Sequence, residues 1–239
     1  AIGLLAEGRF AHLRAVAEGE LPAWTKAVAP ESRLARGWLA AGQLDAALSG
    51  LILHWRLAGL RPGGPVWQLR LDGSPGRLAG ELSPAGWFDQ IAITGLSGEL
   101  VLDRLSAVPD GITGRLVIDR GQAELSMHDA MARTAMARLR WIEAGYDGYD
   151  LGEGRIDLEP RPGKRWRASV TLSGARTLTA EGTLRGQFGQ SRASLELTVT
   201  PGPEMPGPWR NALGMLADQR EGSYRLREGI ALDQLLGGG

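Results

Sequence analysis

The chain has 239 residues, 35 of them glycine and 13 proline, with no cysteine and 27 basic side chains against 27 acidic ones. Disulfides, thiol catalysis and cysteine-bound zinc are excluded, and zero net charge removes the basic surplus that nucleic acid attracts. Glycine stands at about twice its usual ~7% without a three-residue period, which excludes collagen, and the 43% hydrophobic content is too high for wholesale disorder.

The first element in chain order is a short helix. Phe10, Leu13, Val16 and Ala17 recur at helical spacing between Arg9, Arg14 and Glu18, and Gly19 and Pro22 supply its stop. No stretch reaches the ~18 uncharged apolar residues of a spanning helix; Leu34–Leu53 comes nearest and contains Arg36 and Asp45. A chain that opens on Ala1 instead of methionine reads as a mature or trimmed one, its signal peptide or membrane anchor removed. Residues 1–38 are assigned to an N-terminal helical or linker segment.

From residue 39 onward the hydrophobic period becomes two. Leu51, Leu53, Trp55 and Leu57 alternate with Ile52, His54 and Arg56, and Trp67, Leu69 and Leu71 alternate with Gln68, Arg70 and Asp72. The pattern returns at Trp166–Leu172, Leu178–Leu184 and Ala193–Val199. One apolar and one polar face per strand is the signature of antiparallel sheet. Turn residues at Gly63-Gly64, Asp72-Gly73, Pro84-Ala85-Gly86, Pro109-Asp110-Gly111 and Arg120-Gly121 come close to the spacing of hairpin connections. Gly-x-Leu recurs at Gly42, Gly80, Gly98, Gly114 and Gly182, each glycine sharing a face with its leucine. Glycine within a strand implies curvature, a bulge or the close approach of another backbone.

Two segments depart from this pattern. Asp129–Glu143 is rich in helix-forming Ala, Met and Arg, yet Ala137, Leu139 and Trp141 alternate with Arg138 and Arg140, so it reads as a loop followed by a strand. Trp209, Leu213 and Leu216 recur at helical spacing, with Pro208 at the start and Gly222 as the stop, which predicts a helix over 209–219. A strand at Ser223–Arg227 follows. The expected architecture is all-β: residues 39–230 form a large curved antiparallel meander of about a dozen strands, with that helix included. The sheet is a groove or partly folded over, short helices stand near both termini, and 231–239 is a flexible tail.

Signatures of catalysis are missing. His12, His54 and His128 lie far apart, and no zinc-helix, phosphate-loop or nucleophile-elbow motif occurs. Gly152-Glu-Gly154-Arg-Ile-Asp157 lacks the third glycine and the βαβ setting of a dinucleotide site. The acids Asp147, Asp150, Glu153 and Asp157 do not follow calcium-loop spacing. The chain therefore reads as a non-enzyme with no cofactor, no metal and no nucleic-acid partner. Arginines on the polar phase (Arg56, Arg70, Arg115, Arg167 and Arg185) are matched by acids such as Asp72, Glu99 and Glu181, as on a solvated face.

Eight tryptophans against three phenylalanines and three tyrosines are the remaining signal. Trp55, Trp67, Trp141 and Trp166 fall on apolar strand phases, where they either pack a core or line a groove that holds a lipid or partner segment. With Trp209, Leu213 and Tyr224 near the C-terminus they are the candidate groove and partner-binding residues.

The order of motifs resembles the general secretion pathway protein N family of bacterial type II secretion systems. The likeness runs from Leu51-Ile-Leu-His-Trp-Arg-Leu through Gly76-Arg-Leu-Ala-Gly-Glu-Leu and Ile93-Thr-Gly-Leu-Ser-Gly-Glu-Leu. It continues through Gly111-Ile-Thr-Gly-Arg-Leu, Leu139-Arg-Trp-Ile-Glu-Ala and Leu151-Gly. It ends at Trp209-Arg-Asn-Ala-Leu-Gly-Met-Leu and Glu221-Gly-Ser-Tyr-Arg-Leu. The resemblance implies a periplasmic β-rich domain anchored in the inner membrane by an N-terminal helix that this chain lacks. It implies an accessory role beside other secretion subunits, either the inner-membrane platform or the secretin. An architecture similar to the AsmA-like envelope proteins implies the alternative, a groove that binds or transfers envelope lipid.

Overall fold

A computed structural model describes residues 36–38, 41–45, 51–85, 89–105, 108–126 and 132–231. The expected N-terminal helix and the 232–239 tail lie outside these residues. Within them the chain runs up and down as a meander. The first strands are β1 (Arg36–Trp38), β2 (Ala41–Asp45), β3 (Leu51–Arg61), β4 (Gly64–Gly73) and β5 (Gly76–Ala85). The longest follow: β6 (Gln90–Val101), β7 (Ile112–Ser126), β8 (Ala132–Tyr146) and β9 (Tyr149–Arg161). Then come β10 (Arg165–Ser173), β11 (Leu178–Gln187) and β12 (Arg192–Pro201). After the helix α1 (Gly207–Leu216), β13 (Asp218–Arg220) and β14 (Ser223–Ala231) complete one antiparallel sheet of fourteen strands. Strands are paired in chain order except at the end, where β14 lies beside β12 and β13 is the outer edge. The sheet does not close into a barrel.

Cross-strand register explains why the period-two pattern is so persistent. Leu53, Leu71 and Leu78 on β3–β5 stand in one row with Gly98, Ile118 and Leu139 on β6–β8. The same row continues through Ile156, Val170 and Gly182 on β9–β11 to Leu197 and Leu226 on β12 and β14. Eleven strands thus contribute an apolar side chain or a glycine to a single line. Parallel lines lie on either side of it, Trp55–Leu69 above and Leu100–Leu116–Trp141 below. The other face is ionic: Arg70 and Arg77 pair with Asp72, Arg115 with Glu99 and Glu143, and Arg140 with Asp119.

Bulges bend the first two thirds of the sheet. Register shifts fall between Ala79 and Glu81, on both sides of Leu96, between Thr113 and Arg115, and between Trp141 and Ala144. Each adds one residue to one strand and sharpens the local twist. Three of the recurrent Gly-x-Leu glycines sit at these shifts: Gly80, Gly98 and Gly114. Gly98 has φ +145° and Gly114 φ +110°, and a Cβ on Gly98 would lie 2.1 Å from the Arg77 carbonyl oxygen. Gly182 is in regular register, and there it is close approach that requires glycine, with the Glu196 oxygen 2.8 Å from a built Cβ.

Four sequence expectations are corrected. Arg120-Gly121 is no turn: it lies within β7, where Gly121 sits beneath Leu96, 3.2 Å from the place its own Cβ would take. The C-terminal helix spans 207–216 rather than 209–219, because Asp218–Arg220 pairs with Ser223–Arg225 as a hairpin. Gly222, at φ +81°, serves the turn of that hairpin and not the helix end. The β domain also begins before residue 39, since Arg36–Trp38 pairs with Ala41–Gln43.

Candidate groove on the apolar face

The apolar face has a closed end and an open end. At the closed end the connections between strands fold back over it. Leu105 packs on Leu51, Leu78 and Leu100, all buried, just after a 3₁₀ turn at Leu102–Arg104. Farther along, Met205, Trp209 and Leu213 pack over Ala180 and Val199. The Trp209 ring meets Tyr149 edge-on with centroids 5.0 Å apart, and Tyr146 at 5.8 Å. Pro206 and Pro208 shape this cover: neither has an N–H, and Pro208 sits in the first turn of α1, where no intrahelical donor is needed.

Above this covered row the large apolar side chains are half-buried instead of buried, and the small Ala168 and Ala193 are buried among them. Leu69, Leu139, Leu158, Leu184 and Leu195 are all of the half-buried kind. One layer of strands gives this result when neighbours on the inside of a bend shield one another without a second layer. Eleven strands at ~4.8 Å and three rows of side chains make an apolar surface on the order of 1,000 Å² in outline. The largest apolar patch of an ordinary monomer is ~300–600 Å², and a specific interface covers ~800 Å² per partner.

The seven candidate residues divide between two roles. Trp55 and Leu69 oppose each other on the groove face, and Trp67 opposes Leu57 and Leu82. Trp141 lies lower, its Nε1 donating to the Thr113 carbonyl oxygen at 2.9 Å. Trp166 stands far along the sheet on β10, over Gly186 of β11. These four share one face but are spread over separate strands, so they do not form a compact site. Trp209 and Leu213 belong to the cover at the closed end, and Tyr224 is buried at 5% exposure. The residues that floor the groove between the tryptophans are leucines and glycines, which sequence reasoning placed on strands without marking as a site. Of the helix stripe read in the sequence, Trp209 and Leu213 pack on the sheet while Leu216, in the last turn of α1, is 65% exposed, as is Met215 at 83%.

The polar face is only partly as expected. Arg70 and Arg115 have acid partners, whereas Arg167 and Arg185 face each other across β10 and β11. Acids of the β8–β9 hairpin have local duties: Asp150 Oδ1 accepts a hydrogen bond from the Gly152 N–H at 2.8 Å, and Asp157 pairs with Arg138 at 2.8 Å. Among the described residues no cluster of three or more His, Asp or Glu could hold a metal ion. His54 lies on the polar face opposite Arg70. The arrangement can do one thing well: present a long apolar trough, backed by an ionic face, to something that is not part of this chain's described residues.

Compared with protein-family models, with curated proteins and with solved structures, the chain shows no match.

Proposed function

We propose that this chain is a non-enzymatic binding scaffold, acting in the periplasm as an accessory component of a bacterial type II secretion system. The observation that carries the binding role is the apolar row running from Leu53 to Leu226 across eleven strands, covered only at its closed end among the described residues. Leaving so large an apolar surface without an occupant is unfavourable in water, at roughly 25 cal/mol per Å² of apolar area. The secretion assignment is supported by the order of sequence motifs, and the contacts it entails are with the inner-membrane platform or the secretin. Affinity purification from secreting cells is the test. Recovery of those subunits with the chain supports the assignment, and a chain that recovers none of them contradicts it.

A second reading is favoured by the shape of the surface. The trough is continuous and one-sided, which suits an extended acyl chain as well as it suits a helix or strand. On this reading the protein binds or transfers envelope lipid. Organic extraction and mass spectrometry of the purified chain then yield phospholipid in near-stoichiometric amount, and a lipid-free extract rejects it.

A further inference from the structure

Charge is balanced over the whole chain but not along the sheet. Residues 159–167 and 185–192 hold six cations (Arg161, Lys164, Arg165, Arg167, Arg185 and Arg192) and one carboxylate, Glu159. All of them are exposed, and they gather at the open end, where β9 turns into β10 and β11 into β12. The β8–β9 hairpin at the closed end carries Glu143, Asp147, Asp150 and Glu153 with no cation between residues 143 and 153.

The register of the basic corner is costly to the fold. Arg165 directly opposes Arg161, and Arg167 directly opposes Arg185, an arrangement that destabilises a sheet unless counter-charge is supplied. Elsewhere on this face opposed arginines have that supply: Arg138 and Arg140 each have an aspartate, Asp157 and Asp119. At the corner only Arg161 is neutralised, by Glu159 at 2.7 Å. Arg165 donates to the Pro162 carbonyl and Arg167 to the Thr183 hydroxyl oxygen. The two turns are tied together by the Phe188 N–H donating to the Lys164 carbonyl at 2.8 Å, so the cations sit on a braced platform. Trp166 and Gly186 line the same shallow depression as Arg161, Arg165, Arg167 and Arg185.

We propose that this corner docks on the phosphate headgroups of an anionic lipid bilayer. Guanidinium groups bind phosphate oxygens in pairs, and Trp166 and Phe188 are the residue types that settle at the headgroup level. The open end of the apolar trough then faces the membrane. An acidic protein would satisfy the arginines equally well but has no use for the aromatic residues and the apolar opening beside them. The inference is independent of what occupies the trough.

Co-sedimentation of the full 239-residue chain with vesicles tests it. The chain partitions onto phosphatidylglycerol-containing vesicles at low salt, not onto phosphatidylcholine alone, and is released by high salt. At ~1 kcal/mol per basic side chain near a charged bilayer, the triple change Arg165→Gln, Arg167→Gln and Arg185→Gln lowers partition on the order of a hundredfold. The triple change Arg104→Gln, Arg176→Gln and Arg210→Gln, at the closed end, leaves it within about fivefold. Circular dichroism confirms that both variants keep the sheet. Failure to bind the anionic vesicles, equal loss in the two triple variants, or equally tight binding to polyglutamate overturns the proposal. Each of these outcomes leaves the crosslinking and co-purification tests of the trough untouched.

Discussion

Trp166 and Gly186 are directly opposed across β10 and β11, and the indole occupies the space in which residue 186 would place a side chain. A Cβ built on Gly186 falls 2.5 Å from Trp166 Cζ2 and 2.6 Å from Cε2. The same pairing recurs with Trp141 over Gly154 and Leu96 over Gly121. Glycine here is the floor on which a large cross-strand neighbour lies flat, which lets the apolar face bend inward without crowding. Gly186→Ala forces the indole to move. We expect a loss of about 1–3 kcal/mol, read from urea unfolding.

Gly98 tests the bulges in the same way. Its φ of +145° and the Arg77 oxygen 2.1 Å from a built Cβ leave no place for any side chain. Gly98→Ala is expected to cost about 2–4 kcal/mol, combining backbone strain and overpacking. Gly229, with nothing within 4 Å, is the control, and Gly229→Ala changes stability by no more than about 0.5 kcal/mol. Equal effects at the two positions would mean that curvature does not depend on the bulge at Gly98.

Much of this was legible in the sequence. Leu51–Leu57, Trp67–Leu71 and Trp166–Leu172 announce their strands because one wet and one apolar face impose strict alternation. The glycines at Gly98 and Gly114 announce bulges, since their positive φ and the backbone oxygens beside them exclude a side chain, whereas Gly80 marks its bulge with narrow room left for a Cβ, 3.3 Å from the nearest atom. Arg120-Gly121 misleads because a glycine beneath Leu96 and a glycine in a turn look alike until the neighbouring strand is in place. β13 was invisible: Asp218-Gln-Arg220 has no apolar phase, and only its pairing with β14 makes it a strand. The site was legible by face but not by extent. Tryptophan stands out by its excess over phenylalanine and tyrosine, eight against three and three, whereas the leucines that floor the trough do not, and opposed arginines become visible only once register is known.

The cover over the closed end should behave as a local unit. Trp209→Ala removes the ring contacts with Tyr146 and Tyr149 and uncovers Ala180 and Val199. Trp209 is half-buried, so the expected cost is about 2–3 kcal/mol, below that of a fully buried tryptophan. Hydrogen exchange should speed up in α1 and the β8–β9 hairpin while β4 and β5 keep their protection.

Acid should weaken the ionic face. Glu196 is held below the usual carboxylate range by hydrogen bonds from Arg225 and then Arg227, and Asp119 by the hydrogen bond from Arg140. A carboxyl whose folded pKa is depressed contributes stability above its unfolded pKa and loses it as pH falls through the folded value. The urea midpoint is therefore level from about pH 7 to 5 and declines below about pH 4. Glu196→Gln should make that decline shallower, and high salt should do the same because these pairs are exposed. A midpoint that rises on acidification would contradict the role of these pairs.

The central claim is that the apolar face, and not the ionic one, holds the occupant. Val170 and Thr171 are adjacent on β10, away from the basic corner, and lie on opposite faces, so a photo-crosslinking residue at each position resolves the two in growing cells. The account predicts crosslinks, to a secretion subunit or to lipid, from position 170 and none from 171. Crosslinks from 171 alone, or from neither position, would contradict it.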